Sequence, residues 1–266
     1  MSSWGVRKQL TYLSIVLGII AVIIGVPLFF ALNIEPTCFD GKHNGEEVGR
    51  DCGGGCVLQC QGDVTLPVIH WARAFEVEDG VYDLAALIEN TNTAIGSAEI
   101  LYQFKMYDDE NLLIQDRLGK SFALPGNKWV IFESKVLTGE RDPNRVFIDF
   151  IEESKWIEVL IPEEEIPAIA VTKQRMEEKN GKPRLSASVA NRSPFALYDI
   201  EVVAVVSDAD ENVLGTSRTY VDTLEKYSEQ TVVFTWRNTF DAPVAKINVI
   251  PRVNYIQDFY DEVFLQ

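Results

Sequence analysis

The hydrophobic pattern of the chain begins with an unbroken apolar run, Leu10–Leu32. The run contains no charged residue, and its only polar side chains belong to Thr11, Tyr12 and Ser14. At a rise of about 1.5 Å per residue, a helix of this length reaches about 34 Å and can cross a hydrocarbon core of about 30 Å. The pattern therefore predicts a transmembrane anchor helix over residues 10–32.

A signal peptide, a lipoprotein leader and a buried core helix all fit the run less well. A signal peptide has an apolar region of only about 7–15 residues, and Ala31-Leu32-Asn33 matches the A-x-A cleavage site poorly. A lipoprotein would need small apolar residues before Cys38, where Glu35-Pro36-Thr37 stands. A buried core helix is rarely this long without a charge. We therefore expect an uncleaved anchor.

The charges that flank the run predict its orientation. Arg7 and Lys8 precede it, and Glu35 and Asp40 are the first charges after it. Basic flanks stay on the cytoplasmic side of a membrane. We therefore expect a single-pass protein of the cell membrane, with residues 1–9 in the cytoplasm and the C-terminal domains outside.

From residue 63 onward the pattern has the period of β-strands. Tyr102, Phe104 and Met106 alternate with polar neighbours, whereas Val202–Val206 is apolar throughout, so we expect both faces of that second strand to be covered. Such strands with turn signals every 8–12 residues or so are typical of an antiparallel sandwich. The predicted strands lie near 68–78, 81–90, 97–107, 112–123, 128–137, 145–150 and 155–161, and then near 169–178, 183–191, 197–207, 213–223, 229–236 and 245–253.

The strand region repeats itself. Placed side by side without a gap, Val68–Arg117 lies over Ile169–Arg218, so that Asn90 meets Asn191. The same alignment places the turn 109–111 over the turn 210–212. A repeat this long indicates tandem domains rather than a solenoid. The predicted organisation is a β-sandwich over 63–161, a linker over 162–168, a second β-sandwich over 169–255 and a tail over 256–266.

A neck over residues 33–62 joins the anchor to these domains and contains all the cysteines of the chain, Cys38, Cys52, Cys56 and Cys60. Their even number, their clustering and the predicted extracytoplasmic position indicate two disulfides. Three pairings are open. Zinc held by the four thiolates is a rival interpretation, but the spacing lacks the usual C-x2-C pairs.

Calcium is a second rival in the neck. Asp40, Asn44, Glu47 and Asp51 provide oxygen ligands beside glycines, although their spacing differs from that of an EF-hand loop. The whole stretch resembles a short cysteine module of bacterial surface and secreted proteins, C-x-D-G-x-x-N-G-x-E-x-G-x-D-C-G-G-x-C-x-x-C. Three residues, instead of two, precede Cys60. The resemblance implies an extracytoplasmic location.

A second resemblance lies in the second repeat. Phe195, Leu197, Tyr198 and Asp199 form the string FALYD, which resembles the FxLYD family of bacterial extracytoplasmic domains and, more loosely, the type-2 late-embryogenesis-abundant sandwich. The first repeat has AIGSA over 94–98 at the corresponding place. The resemblance implies an immunoglobulin-like sandwich on an anchored protein and no established catalytic site. The fold class expected is all-β: two tandem antiparallel immunoglobulin-like β-sandwiches after one N-terminal transmembrane α-helix.

Phe195 and Tyr198 could form a ligand platform. We expect instead that they close the edge of the sandwich, with the Tyr198 hydroxyl bonded to the backbone. Two acidic turns, 108–111 and 208–212, could each hold a cation. Asp and Asn are also the preferred residues of exposed turns, and we favour that role.

Composition narrows the function classes. The net charge is −16, from 40 acidic and 24 basic residues, and such a surface repels nucleic acid and anionic lipid. The only two histidines, His43 and His70, lie in different modules, and no catalytic or nucleotide-binding motif is present. We therefore expect neither an enzyme nor, calcium apart, a cofactor.

The hypothesis from sequence is a non-enzymatic envelope protein whose two sandwiches contact other envelope proteins or the wall. The alternative is a sensor or carrier module that binds a cation or small ligand in the neck or in the acidic turns. Self-association into a larger envelope assembly is a third option.

Overall fold

The computed structural model describes residues 3–32, 37–151 and 154–264. The chain divides into two compact units, the first ending at Cys56 and the second beginning at Val57. Each unit is described by itself. The first contains one long helix and the cysteine-rich loop, and the second contains the strands.

Helix α1 spans Ser3–Leu32 and continues through Pro27. Its described side chains from Trp4 to Phe29 are all exposed. The stretch Arg7–Phe29 is long and apolar enough to cross a membrane, and among the described residues it is the one such segment. The helix begins before the predicted span of 10–32 and includes the basic flank, because nothing in residues 3–9 breaks a helix.

In the second unit, the described residues form a short 3-10 turn, Gln61–Asp63, followed by thirteen strands and helix α2. In the first half the strands are β1 (Val68–Glu78), β2 (Val81–Glu89), β3 (Ile95–Tyr107), β4 (Leu113–Ala123), β5 (Lys128–Leu137), β6 (Arg145–Phe150) and β7 (Ile157–Glu158). After a second 3-10 turn, Glu163–Glu165, come β8 (Ile169–Lys179), β9 (Lys182–Asn191), β10 (Leu197–Ser207), β11 (Val213–Leu224), β12 (Glu229–Thr235), β13 (Lys246–Arg252) and helix α2 (Gln257–Phe264).

Each half is a sandwich of two antiparallel sheets, as the period-two pattern predicts. In the first half, strands β1-β2-β5 form sheet 1A and strands β4-β3-β6 form sheet 1B, with β7 paired to the start of β3. In the second half, strands β8-β9-β12 form sheet 2A and strands β11-β10-β13 form sheet 2B. Leu84, Phe104 and Trp129 lie at the centre of the first core, and Leu185, Ile200 and Phe234 lie at the centre of the second.

The two sandwiches are joined by a third apolar layer. Ala85, Val130 and Phe132 on the outer face of sheet 1A pack with Val203 and Val205 on the outer face of sheet 2B. Because Val202 and Ala204 point into the second core, strand β10 is apolar on both faces. The continuous run Val202–Val206 is thus covered on both sides, as predicted, and the sheets stack in the order 1B, 1A, 2B, 2A.

The structure corrects the gapless alignment of the two repeats. In sheets 1A and 2A the alignment holds, since Leu84 and Leu185 occupy equivalent core positions. In sheets 1B and 2B it fails, because Ile100 is equivalent to Ile200 and not to Glu201. The second repeat is one residue shorter before this strand. A one-residue slip exchanges the two faces of a strand, so the gapless register would place Glu201 in the core.

Two predicted boundaries also differ from those of the structure, and the predicted tail contains a helix. The strand predicted near 155–161 is reduced to the two residues of β7, and the tail predicted over 256–266 contains helix α2. Residues 57–62, predicted as neck, belong to the second unit. There, Gln59 N donates to Trp156 O at 2.8 Å and Glu158 N donates to Val57 O at 2.9 Å. Backbone pairing, which composition does not show, draws this segment onto the first sandwich.

Candidate functional site

The cysteine-rich loop of the first unit is held by a disulfide between Cys38 and Cys56. Cys52 and Cys60 are also disulfide-bonded, so all four cysteines are oxidised, as expected. Glycine makes the tight path of this loop possible. Gly54 has a φ of +62°, and a Cβ on it would lie 1.8 Å from Glu46 O. With the sulfurs in disulfides, the loop has no thiolate to offer zinc.

The four oxygen-bearing residues predicted for calcium lie in this loop, and they bond to the loop itself. Asp40 Oδ1 accepts from Lys42 N at 2.8 Å, and Asp40 Oδ2 accepts from Asn44 Nδ2 at 2.9 Å. Asp51 Oδ1 accepts from Gly41 N at 3.0 Å. The bond from Asn44 holds the pKa of Asp40 below its usual value. These carboxylates stabilise the turns of a segment that has almost no apolar core.

Glu47 occupies the centre of the loop. Its Oε2 accepts from Asn44 N at 3.3 Å and from Asp51 N at 3.2 Å, and its Oε1 lies 3.7 Å from Cys56 Sγ. Glu47, Cys38 and Cys56 are the group of potential metal ligands whose atoms approach within 4.8 Å in the described residues. Two of the three are disulfide sulfurs, which lack the charge of a thiolate. The geometry is that of a cross-linked turn.

The two acidic turns have the same geometry in both sandwiches. Asp108 Oδ1 accepts from Glu110 N at 3.1 Å and Leu112 N at 2.8 Å. Asp208 Oδ1 accepts from Asp210 N at 3.0 Å and Asn212 N at 2.8 Å. Side-chain hydrogen bonds, from Arg141 to Asp108 and from Asn212 to Asp208, lower the pKa of both carboxyls. Each aspartate therefore caps its own hairpin turn.

The FALYD string divides between core and surface. Leu197 is buried, Phe195 packs against the second core, and Tyr198 is 61% exposed. The expectation that Tyr198 closes the sandwich edge is therefore wrong. Asp199 adopts a left-handed backbone with φ of +51°, which lets Leu197 and Ile200 both face the core and leaves Tyr198 and Asp199 outside.

A buried asparagine precedes the FALYD segment of the second sandwich, and another precedes the corresponding segment of the first. Asn191 Nδ2 donates to Phe195 O at 2.8 Å and to Leu224 O at 3.1 Å. In the first sandwich, Asn90 Nδ2 donates to Ile95 O at 2.8 Å and to Leu124 O at 3.0 Å. The repeat alignment identified this pair of asparagines, but only the structure shows that both hold the same corner.

The AIGSA segment of the first sandwich is covered by the residues that precede helix α2. Ala98, which corresponds to Tyr198 in the structural register, is buried with Leu124 and Ile256. Asn254 Nδ2 donates to Ala98 O at 3.0 Å. A Cβ on Gly96 would lie 3.2 Å from Ile256 Cδ1. The small residues that replace FALYD therefore make room for the segment leading into helix α2.

Sequence reasoning did not identify the charged residues between the sandwiches. Arg252 is 4% exposed, its guanidinium lies 3.7 Å from the Phe122 ring centroid, and it donates to Phe122 O. Glu201 Oε1 accepts from Arg218 Nη1 at 3.2 Å, and its Oε2 lies 3.7 Å from Arg252 Nη1. Burial lowers the pKa of Arg252 to about 10, so the group stays charged at neutral pH. The available signal was one arginine inside each of two predicted strands, 213–223 and 245–253.

A cleft opens along the boundary between the sandwiches, and a smaller cavity lies at the end of the first sandwich. The larger, of about 600 Å³, lies between Arg73 on the edge of β1 and the Trp236–Phe240 pair after β12. Asn238 Nδ2 donates to Glu76 O at 3.2 Å, and Arg73 donates to Val213 O at 3.3 Å. These bonds cover the backbone of two edge strands. A smaller apolar cavity of about 270 Å³ opens beside Trp156 at the end of the first sandwich.

Comparison with known proteins adds little to this geometry. No protein-family model matches the sequence, and no curated protein matches it. Among solved structures, the crystal structure of red sea bream transglutaminase aligns at 13% identity with a TM-score of 0.22, over 73% of this chain and 30% of that chain. The chain thus spans less than a third of the length of that structure. A likeness at this TM-score carries no inference about fold or activity.

Proposed function

We propose that the protein is a non-enzymatic, membrane-anchored module of the cell envelope, whose paired sandwiches contact other envelope proteins or the wall from outside the cytoplasm. The observation that carries the proposal is helix α1. A helix with an apolar surface exposed along its described length is stable in a bilayer and unstable in water.

Two further features support an extracytoplasmic position for the domains. All four cysteines are in disulfides, which persist in oxidising compartments. The basic residues Arg7 and Lys8 lie at the N-terminal end of the apolar stretch, and that end remains in the cytoplasm under the positive-inside rule. Membership in the FxLYD family is part of the same proposal, and it is supported by the packing of Phe195 and Leu197 against the second core.

Protease treatment of intact cells tests this topology. The full chain is given one epitope tag at the N-terminus and another at the C-terminus. We expect the C-terminal tag to be removed from intact cells while the N-terminal tag survives, and both to be removed after lysis. Loss of the N-terminal tag alone from intact cells would refute the proposed orientation.

Crosslinking of the full chain in its membrane tests the contact role. Leu118 and Phe147 are exposed apolar residues that flank strand β3 in sheet 1B. A photo-crosslinker at Leu118 is expected to capture an envelope protein or wall fragment. The same probe at Thr231, on the polar outer face of sheet 2A, serves as the matched control. Equal yields from the two positions would count against a specific contact on sheet 1B.

A further inference from the structure

A basic cleft lies on the second sandwich, at the hairpin between β8 and β9. Its volume is about 540 Å³, and it extends from the hairpin to the residues after β12. The charged residues that line it are Lys179, Lys182, Arg184 and Arg237, and no carboxylate lines it in the described part of the chain. Four converging cations are unexpected in a protein with a net charge of −16.

The hairpin itself places two like charges together. Lys179 and Lys182 are directly paired across the strands, on either side of the turn Asn180-Gly181. Like charges at directly opposed positions destabilise a hairpin. Neither lysine forms an ion pair within the described residues. An anion between the two ammonium groups would remove this repulsion.

Arg184 adds a cation that has no hydrogen-bonded counter-ion among the described residues. Its Nε is buried and has no hydrogen-bond partner in the described structure. Glu177, directly across the strand pair, places Oε1 3.9 Å away, which is too far for a hydrogen bond. Buried donors are nearly always paired in folded proteins. Glu177 therefore leaves the guanidinium of Arg184 without a hydrogen-bonded carboxylate, and the partly exposed side chain faces the cleft.

The acidic groups near the cleft do not neutralise it. Glu177 is shared at 3.9 Å between Arg175 and Arg184, and Glu78 forms an ion pair with Arg237 in which both side chains are more than half exposed. Exposed pairs of this kind are weak and exchange readily. The cleft therefore keeps an excess of positive charge.

From these observations we propose that the β8–β9 cleft binds an oxyanion ligand that carries more than one phosphate or sulfate group. The planar guanidinium of Arg184 suits two oxygens of such a group, and the two lysines supply point charges beside it. Several cations spread over the cleft match a multivalent anion better than a single carboxylate. This ligand class goes beyond the proposed contact role. The net negative charge of the protein would repel an anion, but the local positive potential of the cleft overrides that repulsion.

Titration of the full chain in neutral-detergent micelles tests the proposal, with inorganic tripolyphosphate as the probe and calorimetry as the readout. We expect saturable binding that weakens as salt rises. Arg184→Gln should weaken binding by about tenfold or more, because it removes charge-assisted hydrogen bonds. Lys182→Gln, at the exposed first position of β9, should weaken binding without affecting folding, and a thermal melt checks both variants.

Lys226→Gln is the matched control, because Lys226 lies on the exposed turn at the opposite end of the same sheet. It should leave the affinity unchanged. A second arm uses vesicles with and without an anionic phospholipid. Binding of tripolyphosphate alone assigns a soluble ligand, and selective binding of the anionic vesicles assigns a lipid headgroup. No binding in either arm, or equal losses in the Lys226 and Lys182 variants, would overturn the proposal, and neither result bears on the membrane topology.

Discussion

Asn90 and Asn191 show how single residues hold the corner of each sandwich. Both are fully buried. Each side-chain amide donates to two backbone carbonyls, one at the start of the next strand segment and one at the end of the strand after it. Each Oδ1 also accepts from the backbone two residues on, at Asn92 N and Ser193 N. A fully buried side chain that bonds to three backbone groups at once is difficult to replace.

Replacement of either asparagine by alanine should therefore destabilise its sandwich. Each unpaired buried group costs about 1–3 kcal/mol, so we expect a loss of about 3 kcal/mol or more in the free energy of unfolding. Chemical denaturation of the full chain in detergent measures it. Asn248→Ala, at an exposed strand position, should change stability by less than about 0.5 kcal/mol. A similar small change for Asn191→Ala would contradict the assigned role.

The pair Ala98 and Tyr198 shows the opposite case, in which equivalent positions have diverged. Ala98 is 4% exposed because Ile256 covers it, whereas Tyr198 is 61% exposed. The segment that leads into helix α2 is thus part of the first sandwich. This explains, at the scale of one side chain, why only the second repeat carries FALYD.

Ala98→Tyr should displace the C-terminal segment from the first sandwich, because a phenol ring cannot fit beneath Ile256. Hydrogen exchange over residues 254–264 of the full chain should become faster. Tyr198→Ala is the matched variant and should leave exchange there unchanged. Unaltered protection in the Ala98 variant would show that the segment is held elsewhere.

At the scale of an element, the cysteine loop is a segment that cross-links and carboxylates hold without a core. The Cys38–Cys56 disulfide has a sequence separation of 18 and encloses most of the loop. A ring of this size contributes about 3 kcal/mol in the loop-entropy estimate. Turns held by Asp40, Glu47 and Asp51 complete the segment.

The first prediction at this scale concerns the sulfurs. In the native full chain, a thiol reagent should label none of the four cysteines, and after reduction it should label all four. Hydrogen exchange over residues 37–56 should then rise, while the sandwich cores stay protected. Labelling before reduction would contradict the oxidised loop.

Calcium gives the second prediction for this element. Because the carboxylates of Asp40, Glu47 and Asp51 already accept hydrogen bonds from loop amides, we expect millimolar calcium to leave the melting temperature of the oxidised protein unchanged. Magnesium at the same concentration controls for ionic strength. A calcium-specific rise would instead restore the predicted cation site.

At the scale of the whole second unit, the two sandwiches form one stack because non-equivalent sheets of the two repeats pack against each other. The outer face of sheet 1A packs against the outer face of sheet 2B. Sheet 1B is the counterpart of sheet 2B, and sheet 2A is the counterpart of sheet 1A, but their outer faces lie on the two outer sides of the stack. Gln103 and Lys105 stand where β10 has Val203 and Val205. Ser186 stands where β2 has Ala85. These polar residues disfavour the stacking of a third sandwich by the same contact, which would otherwise allow open head-to-tail assembly. Leu118 and Phe147, beside Gln103 and Lys105, leave sheet 1B partly apolar for a different contact.

Val203→Asp should therefore separate the sandwiches. An unpaired charge buried in the apolar layer costs several kcal/mol, and we expect cooperative melting to split into two transitions. Limited proteolysis should also begin to cut near the linker at 162–168. Thr231→Asp, on the free face of sheet 2A, should have little effect. One unchanged transition in the Val203 variant would refute the role of this layer.

The prediction from sequence was most accurate where local periodicity carries the information. Strand β10 was expected at 197–207 and lies at Leu197–Ser207, and β5 was expected at 128–137 and lies at Lys128–Leu137. The two-residue β7 was overestimated, because its pairing with β3 depends on a distant strand. The exposure of Tyr198 was missed, because a left-handed Asp199 breaks the alternation from which burial was inferred.

The sequence by itself determined the apolar helix, the strands and their twofold use, and the two-sided burial of Val202–Val206, because each depends on residue order within one short segment. Tertiary structure alone decided which sheets meet, why Ala98 is small and how Arg184 comes to share a cleft with Arg237. A period-two pattern indicates that one face of a strand is buried, but it does not indicate which other element covers that face. That choice is made when surfaces from distant parts of the chain pack together.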